Sequence, residues 1–299
     1  MKSNKKAIIG WISAMAATPL VLASFWFGSA VQGQQDQIFT AVKSNQDPMK
    51  LKAQDPAWNE APAQTITLMA QPMVLPRPKL TLTQNIKVQS LHNGKSIAFR
   101  LSWKDSERSD AGILGKFSDA VAMEFPVLLD KGQPPSPFMG EVGKPVQIFH
   151  WRAQYQKDME MGRHPEMTDL YPNMSIDAYP LEYKDKEAPQ SSDKARRQFS
   201  PGQAAGNPQS YKKHGVDEIF AEGFGSSSVA NSIESRAEGV WQNGEWSVVI
   251  SRPLKSTKGS ELVPGQKNFV CFAVWQGGAN EVGSRKSVSL MWVDLAIKP

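Results

Sequence analysis

Period-two alternation of apolar side chains is the feature that most limits how this chain can fold. Ile97, Phe99, Leu101 and Trp103 alternate with Ala98, Arg100 and Ser102. That spacing places one set of side chains on each face of a half-buried strand. The pattern recurs in 244–254, where Trp246, Val248 and Ile250 share a face. An Asn-Gly pair accompanies both runs, at Asn93-Gly94 and Asn243-Gly244. This dipeptide suits two-residue hairpin turns because both positions accept positive φ. Further apolar runs occupy 120–129 and 146–151, and 268–275 is apolar on both faces, as a central strand should be. The stretch 287–297 is expected to close the chain as a strand. Helical periodicity is almost absent, and 22 Gly and 21 Pro supply turns. The expected fold is all-β, an antiparallel β-sandwich.

The sandwich is expected over 57–299. Residues 34–56 are polar, carry Asp47-Pro48 and Asp55-Pro56, and read as an extended lead-in. From Arg152 to Val216, charges mix with Pro, Met and Tyr without period. A patternless stretch of that length is uncommon inside a compact domain. It reads as a long irregular insertion at about 152–216, or a partner-binding excursion. At the N-terminus, Lys2, Lys5 and Lys6 precede an uncharged run from Ala7 to Val31. Residues 1–33 therefore form either a secretory signal cleaved near Gly28–Gly33 or a hydrophobic helix anchoring the chain, since about 20 apolar residues cross a bilayer. Both readings place the remainder outside the cytoplasm, in a periplasmic or equivalent compartment.

Composition narrows the chemistry. The single cysteine, Cys271, cannot form an internal disulfide, and there is no CxxCH for covalent haem attachment. With only four histidines, a cofactor would be held non-covalently by few ligands. Nine Trp against five Tyr suggest flat apolar surfaces or a large flat ligand. The net charge of +5 is spread along the chain, which does not indicate nucleic acid. No GxGxxG, P-loop, HExxH or GxSxG occurs, and GFGSSS at 223–228 has no lysine to meet a phosphate. Asp217 and Glu218 are adjacent and point to opposite faces of a strand, so they read as solvated charge. Nothing positions a serine with His214 and Asp217. Catalytic residues are not indicated.

Several segments taken in order carry a resemblance: AWNEAP (57–62), QPMVLPRP (71–78), LHNGKSIAFRLSW (91–103), DAVAMEFP (119–126), PFMGEVGKPVQIFHWRA (137–153), AEGFGSS (221–227), GEWSVVISRPL (244–254) and FAVWQGGANEVGSRKSVSLMWVDL (272–295). Together the chain resembles the haem-b-binding gamma subunits of the ethylbenzene dehydrogenase group. That group includes dimethylsulfide dehydrogenase, selenate, chlorate and nitrate reductases and nitrite oxidoreductase. The resemblance implies a β-sandwich holding one haem b between an axial Met and an axial Lys. It implies a non-catalytic subunit that passes electrons between the iron–sulfur beta subunit of a molybdenum enzyme, whose alpha subunit holds the molybdenum, and an external soluble or membrane carrier. The long insertion and the N-terminal run lean toward the nitrite oxidoreductase or nitrate reductase branch.

Carried onto this sequence, the resemblance makes Met139 the thioether ligand, in a turn flanked by Pro137 and Gly140. Met73 is a competitor, and Met123 reads as packing. The amine falls on Lys267, at the start of the FAVW strand, with Lys286 in GSRKSV as runner-up. Without the resemblance, Met139 would read as a gap-filler and either Lys as a surface residue. An amine binds iron only when deprotonated, and a dry pocket favours that form. Expected walls are Phe138, Ile148, Trp151, Phe269 and Trp275, with Arg152, Lys144 and Arg285 at the rim to meet propionates. His150 is a possible ligand in place of Met139. The alternative reading is an extracytoplasmic carbohydrate-binding sandwich whose Trp residues stack on sugars.

Overall fold

The computed structural model describes residues 38–111, 115–162, 205–207, 212 and 214–299. The expected signal or anchor, and nearly all of the insertion beyond Gly162, lie outside the described residues.

The strands run in chain order β1 (Ile38–Lys43), β2 (Gln64–Thr67), β3 (Met69–Ala70), β4 (Asn85–His92), β5 (Ser96–Lys104), β6 (Ala120–Pro126) and β7 (Val146–Arg152). After helix α1 (Ala153–Met161) the described strands continue with β8 (Val216–Ala221), β9 (Ser228–Val229), β10 (Arg236–Gln242), β11 (Glu245–Pro253), β12 (Lys267–Trp275), β13 (Ser287–Val288) and β14 (Val293–Ile297). Their hydrogen-bonded order is β10-β11-β5-β4-β1-β14-β12-β6-β7-β8-β9. Both Asn-Gly pairs turn hairpins as expected: β4 pairs antiparallel with β5, and β10 with β11. Asn243 and Gly244 both take positive φ, 53° and 72°, the conformation such a turn requires.

The strand path folds over so that its two halves face each other. Ile97, Phe99, Leu101 and Trp103 of β5 share one core with Val121, Met123 and Phe125 of β6, Phe149 and Trp151 of β7, and Val270, Phe272 and Val274 of β12. Phe99 meets Phe125 with ring centroids 5.8 Å apart. Trp151 meets Trp246 at 4.9 Å, edge to face. Gly239 of β10 lies over Trp151, where a Cβ would come within 2.4 Å of the indole ring. The result is the expected all-β sandwich, with Met123 packed in its interior.

Three features differ from the sequence reading. The supposed lead-in contains β1, whose Phe39 and Ala41 are fully buried. This strand pairs in parallel with both β4 and β14, so the sandwich is not purely antiparallel. The final run breaks into β13 and β14. At the break, the Ser289 hydroxyl accepts the Phe272 N–H at 2.9 Å, and the Ser289 N–H donates to the Phe272 carbonyl. A side chain thereby takes a place in the ladder that a strand carbonyl would fill. The insertion opens in regular structure, as α1, and that helix ends at Gly162 with φ 65°, a left-handed helix end suited to glycine.

Candidate functional site

Strand alternation gives the β12-β6-β7-β8 half of the sandwich a second, outward face. Ala120, Ala122 and Glu124 of β6 point outward between the core residues Val121, Met123 and Phe125. On β7, Val146, Ile148, His150 and Arg152 are outward while Phe149 and Trp151 are inward. On β12 the outward set includes Cys271, Ala273 and Trp275. Ala120, Ala122, Val146, Ile148, Ala221 and Trp275 form a separate apolar cluster there, with Met139, Ile219, Ala273 and Trp292 packed against it. The short side chains of Ala122 and Ala273, paired directly across the ladder, keep the centre of this floor low and flat.

Loops wall the floor on several sides: residues 137–139, 224–227 and 283–289, together with Gln71 and Val74. The cavity, open on one side, measures about 390 Å³, within the range of roughly 300–1,000 Å³ usual for small-molecule and cofactor sites. It therefore lies on the outer face of one layer, not between the two layers, where large apolar side chains fill the space.

Met139 reaches the cavity from a fixed turn. Its φ is 66°, a left-handed conformation that costs a non-glycine residue roughly 1–2 kcal/mol. A bond on its carbonyl side holds it there: that carbonyl accepts from Gly223 N–H at 2.7 Å. The next residue, Gly140, has φ 74°, and a Cβ there would meet the Lys144 carbonyl oxygen at 2.8 Å and that of Ala221 at 3.1 Å. Only glycine fits this position.

Lys286 enters from the opposite part of the wall, just before β13. Its Nζ lies 4.7 Å from the Trp275 ring centroid. Burial lowers its pKa below the ordinary lysine range, opposed by attraction to Glu124. Glu124 itself is buried in the floor, and burial raises its carboxyl to about 8 despite the Lys286 charge and the Met139 N–H. Its Oε1 has no hydrogen-bond partner. His150 is also buried, with its ring 5.0 Å from Trp275 and its Nε2 unpartnered. Burial, followed by the charges of Arg152, Lys286 and Lys212, holds it neutral, well below the usual imidazole range. Burial pushes the Cys271 thiol well above its ordinary value, so that sulfur stays protonated and unreactive.

The structure brings Met139, Phe138, Ile148, Trp275 and Lys286 to one cavity, together with His150 and Arg152. It does not bring Lys267 there. That side chain is 63% exposed and pairs with Asp294 at 2.9 Å. Lys267 stands on the outward face of β12, but four residues from Cys271, about 13 Å along a strand. Shared face therefore does not give shared position. Phe269 sits at this same end, with Lys267 Nζ 5.1 Å from its ring, and is not among the lining residues. Trp151 is a correction of parity: three residues from Ile148, it must face the opposite way, and it is fully buried in the core. Met73 is half exposed and outside the cavity. Lys144 is engaged with Asp130 and Glu141, and Arg285 lies over Phe117. Of the three expected rim cations, only Arg152 lines the site.

The donor set is thus a thioether, an amine whose ammonium is disfavoured and a neutral imidazole, above a flat apolar floor. Among the described residues no group of three or more His, Cys, Asp and Glu could hold a bare metal ion. A site with soft and neutral nitrogen donors, two unpartnered buried polar atoms and room for a flat body fits a metalloporphyrin. These features define an all-β protein with a cofactor-sized pocket on one outer sheet face.

Sequence comparison gives the family. The ethylbenzene dehydrogenase family profile matches residues 55–287, and the chain belongs to that family. It is 24% identical over 237 residues to the proposed respiratory nitrate reductase heme subunit ORF7 of Haloferax mediterranei, covering 78% of this chain and 63% of that protein. The chain thus spans less than two thirds of that relative's length. It is also 24% identical over 293 residues to the chlorate reductase subunit gamma of Ideonella dechloratans, covering 95% of this chain and 97% of that protein. Among solved structures, a family 9 carbohydrate-binding module from Caldicellulosiruptor kristjanssonii in complex with glucose aligns with a TM-score of 0.44 and 7% identity, covering 88% of this chain and 96% of that one.

Proposed function

We propose that this chain is the haem-binding electron-transfer subunit of a molybdenum oxidoreductase complex, acting outside the cytoplasm. One haem b would be held over the Ala122–Ala273 floor by Met139 and Lys286. The observation that carries this reading is the convergence of Met139 and Lys286 on one cavity in a chain whose relatives bear the names heme subunit and subunit gamma. When bound, the haem supplies a one-electron couple. The chain's own residues do the rest. The strained turn, held at its carbonyl by Gly223, presents the Met139 sulfur. Burial favours the neutral amine of Lys286, the only form that can donate to iron. Arg152 offers a cation for a propionate. Held by these two side chains, a haem would have no open place for small molecules at its iron, as suits electron transfer. An iron–sulfur subunit would exchange electrons with this chain on one side and a soluble or membrane carrier on the other. The uncharged run of 7–31 would direct the chain to that compartment or hold it at the membrane.

The test is a haem titration of the purified full chain, followed by its visible spectrum and extraction by acidified organic solvent. Wild type is expected to bind one extractable protohaem. Met139→Ala and Lys286→Ala are expected to lose haem or change its spectrum and potential. Lys267→Ala, which removes an exposed ion pair, should leave all three unchanged. A wild-type chain that stays colourless overturns the cofactor. A Lys286→Ala protein that keeps the wild-type spectrum overturns the ligand assignment.

A further inference from the structure

We infer that residues 72–82 form the strap on which this chain docks the iron–sulfur subunit of its complex. The inference rests on the electron-transfer reading for the identity of that partner. The surface itself stands on exposure, hydrogen bonding and charge.

Large apolar side chains held together in water mark a surface that something else covers. In PMVLPRPKLTL, Leu75 is 74% exposed and Leu80 71%, with Met73 and Leu82 exposed beside them. Phe224, which lines the cavity, is exposed as well and adds an apolar point to its rim. The strap is fixed along its length. Buried Gln71 at its head accepts the Met73 and Val74 N–H groups on its side-chain oxygen, at 2.9 and 3.0 Å. The Ser284 hydroxyl donates to the Pro76 carbonyl at 2.8 Å, and the Ala70 N–H donates to the Thr81 hydroxyl at 2.8 Å. Pro72, Pro76 and Pro78 each fix a φ angle. A surface held in advance loses little conformational entropy when it is covered, so its burial converts more fully into affinity.

Charge and place identify the occupant. From Ala61 to Lys104 the chain has no Asp or Glu. Arg77 and Lys79 are exposed within the strap. On the adjoining loop Arg285 adds a cation, while the carboxyl of Glu281 is buried. The complement of this surface is an apolar patch bordered by carboxylates. Place separates a protein from an anionic membrane. Gln71 and Val74 line the cavity. The Gln71 N–H donates to the Lys286 carbonyl at 3.1 Å, and β3 pairs with β13 so that Ala70 stands opposite Ser287. Whatever covers the strap therefore lies against the cavity wall that carries Lys286. A protein that exchanges electrons with a cofactor in that cavity needs such proximity, and a lipid surface does not.

The test purifies the tagged full chain from cells that make the whole complex. Molybdenum, iron–sulfur iron and extractable haem retained per chain are then measured after salt washes. Wild type is expected to retain both metals. Leu75→Asp and Leu80→Asp, at exposed positions, should keep wild-type haem and Tm while retaining about tenfold less molybdenum and iron–sulfur iron, as for central apolar anchors of an interface. Arg77→Glu combined with Lys79→Glu should lose the metals at lower salt than wild type. Ile38→Asp, at an exposed residue of β1 that is not among those lining the cavity, should change nothing. Wild-type retention by both Leu variants overturns the inference, as does a wild-type chain that retains neither metal. Loss of haem together with the metals also overturns it, since the strap would then act on the pocket. Flotation of the full chain with phosphatidylglycerol vesicles that depends on Leu75 would make a membrane the occupant instead. A chain that holds the metals but no haem leaves the docking surface standing and refutes the cofactor reading alone.

Discussion

Replacing Gly140 by alanine should dislodge the Met139 turn, and the cost can be worked out from its neighbours. The backbone at Gly140 has φ 74°, which costs an L side chain roughly 1–2 kcal/mol. The added Cβ would also lie 2.8 Å from the Lys144 carbonyl oxygen and 3.1 Å from that of Ala221. Both are backbone atoms on neighbouring chain segments and cannot swing aside, so overpacking adds about 1–3 kcal/mol. The sum is about 2–5 kcal/mol. For a domain of this size that lowers Tm by something on the order of 10 °C. Gly143 supplies the control within the same loop: its φ is 76° but no atom lies within 4 Å of the added Cβ. Gly143→Ala should therefore cost only the conformational part, about 1–2 kcal/mol. Thermal unfolding followed by circular dichroism gives both values, and haem titration of the same samples tells whether the sulfur has moved. If the two variants melt together, the contact of Gly140 with β8 and with the end of its own loop does not hold the turn, and the account of Met139 fails.

Two further outcomes follow from the core and from the buried acids. Trp151→Ala should destabilise the protein by about 3–5 kcal/mol in urea unfolding, yet leave the spectrum of bound haem unchanged, because the indole faces Trp246 and Trp103; a shifted spectrum would place it against the cofactor after all. Burial, followed by the neighbouring Asp119 charge, pushes Asp105 up to about 7. The native state then holds a proton that the unfolded chain, with an ordinary carboxyl near 4, releases. This contribution to stability is complete below about pH 4 and is lost as pH rises through 7. Asp105→Asn should accordingly flatten the fall in Tm between pH 5 and pH 8, and an unchanged slope would count against the raised pKa.

Much of the sandwich was legible because its strands bury one face each, and period two survives in Ile97–Trp103 and Trp246–Ile250 whatever the tertiary context. β1 was not legible: IFTAVK is short, follows a polar stretch, and gains its stability from two parallel neighbours far away in sequence. The pocket was half legible. The resemblance put the amine on Lys267, at the start of the FAVW strand; that residue shares a face of β12 with Cys271 and Trp275, but parity says nothing about distance along a strand. The same rule, applied to Ile148 and Trp151, would have excluded the latter. Glu124 and His150 carried a usable signal, a polar residue in each of two apolar strands, AVAMEFP and VQIFHW. Such residues are expensive to bury unless something needs them.

The place of β1 also governs when the molecule can form. This strand, near the start of the described chain, is zipped between β4 and β14, and β14 ends two residues before the C-terminus. The seam joining the two layers therefore waits for β14, which sets Asp294 opposite Ile38, a pairing of very high contact order. A growing chain can make the β4–β5 and β10–β11 hairpins early, yet its ligand-holding face, drawn from residues 71 to 289, stays unfinished until that distant partner has joined. Capture of any prosthetic group is thereby deferred until distant parts of the chain have met, and deleting β1 or β14 would open the seam between the layers.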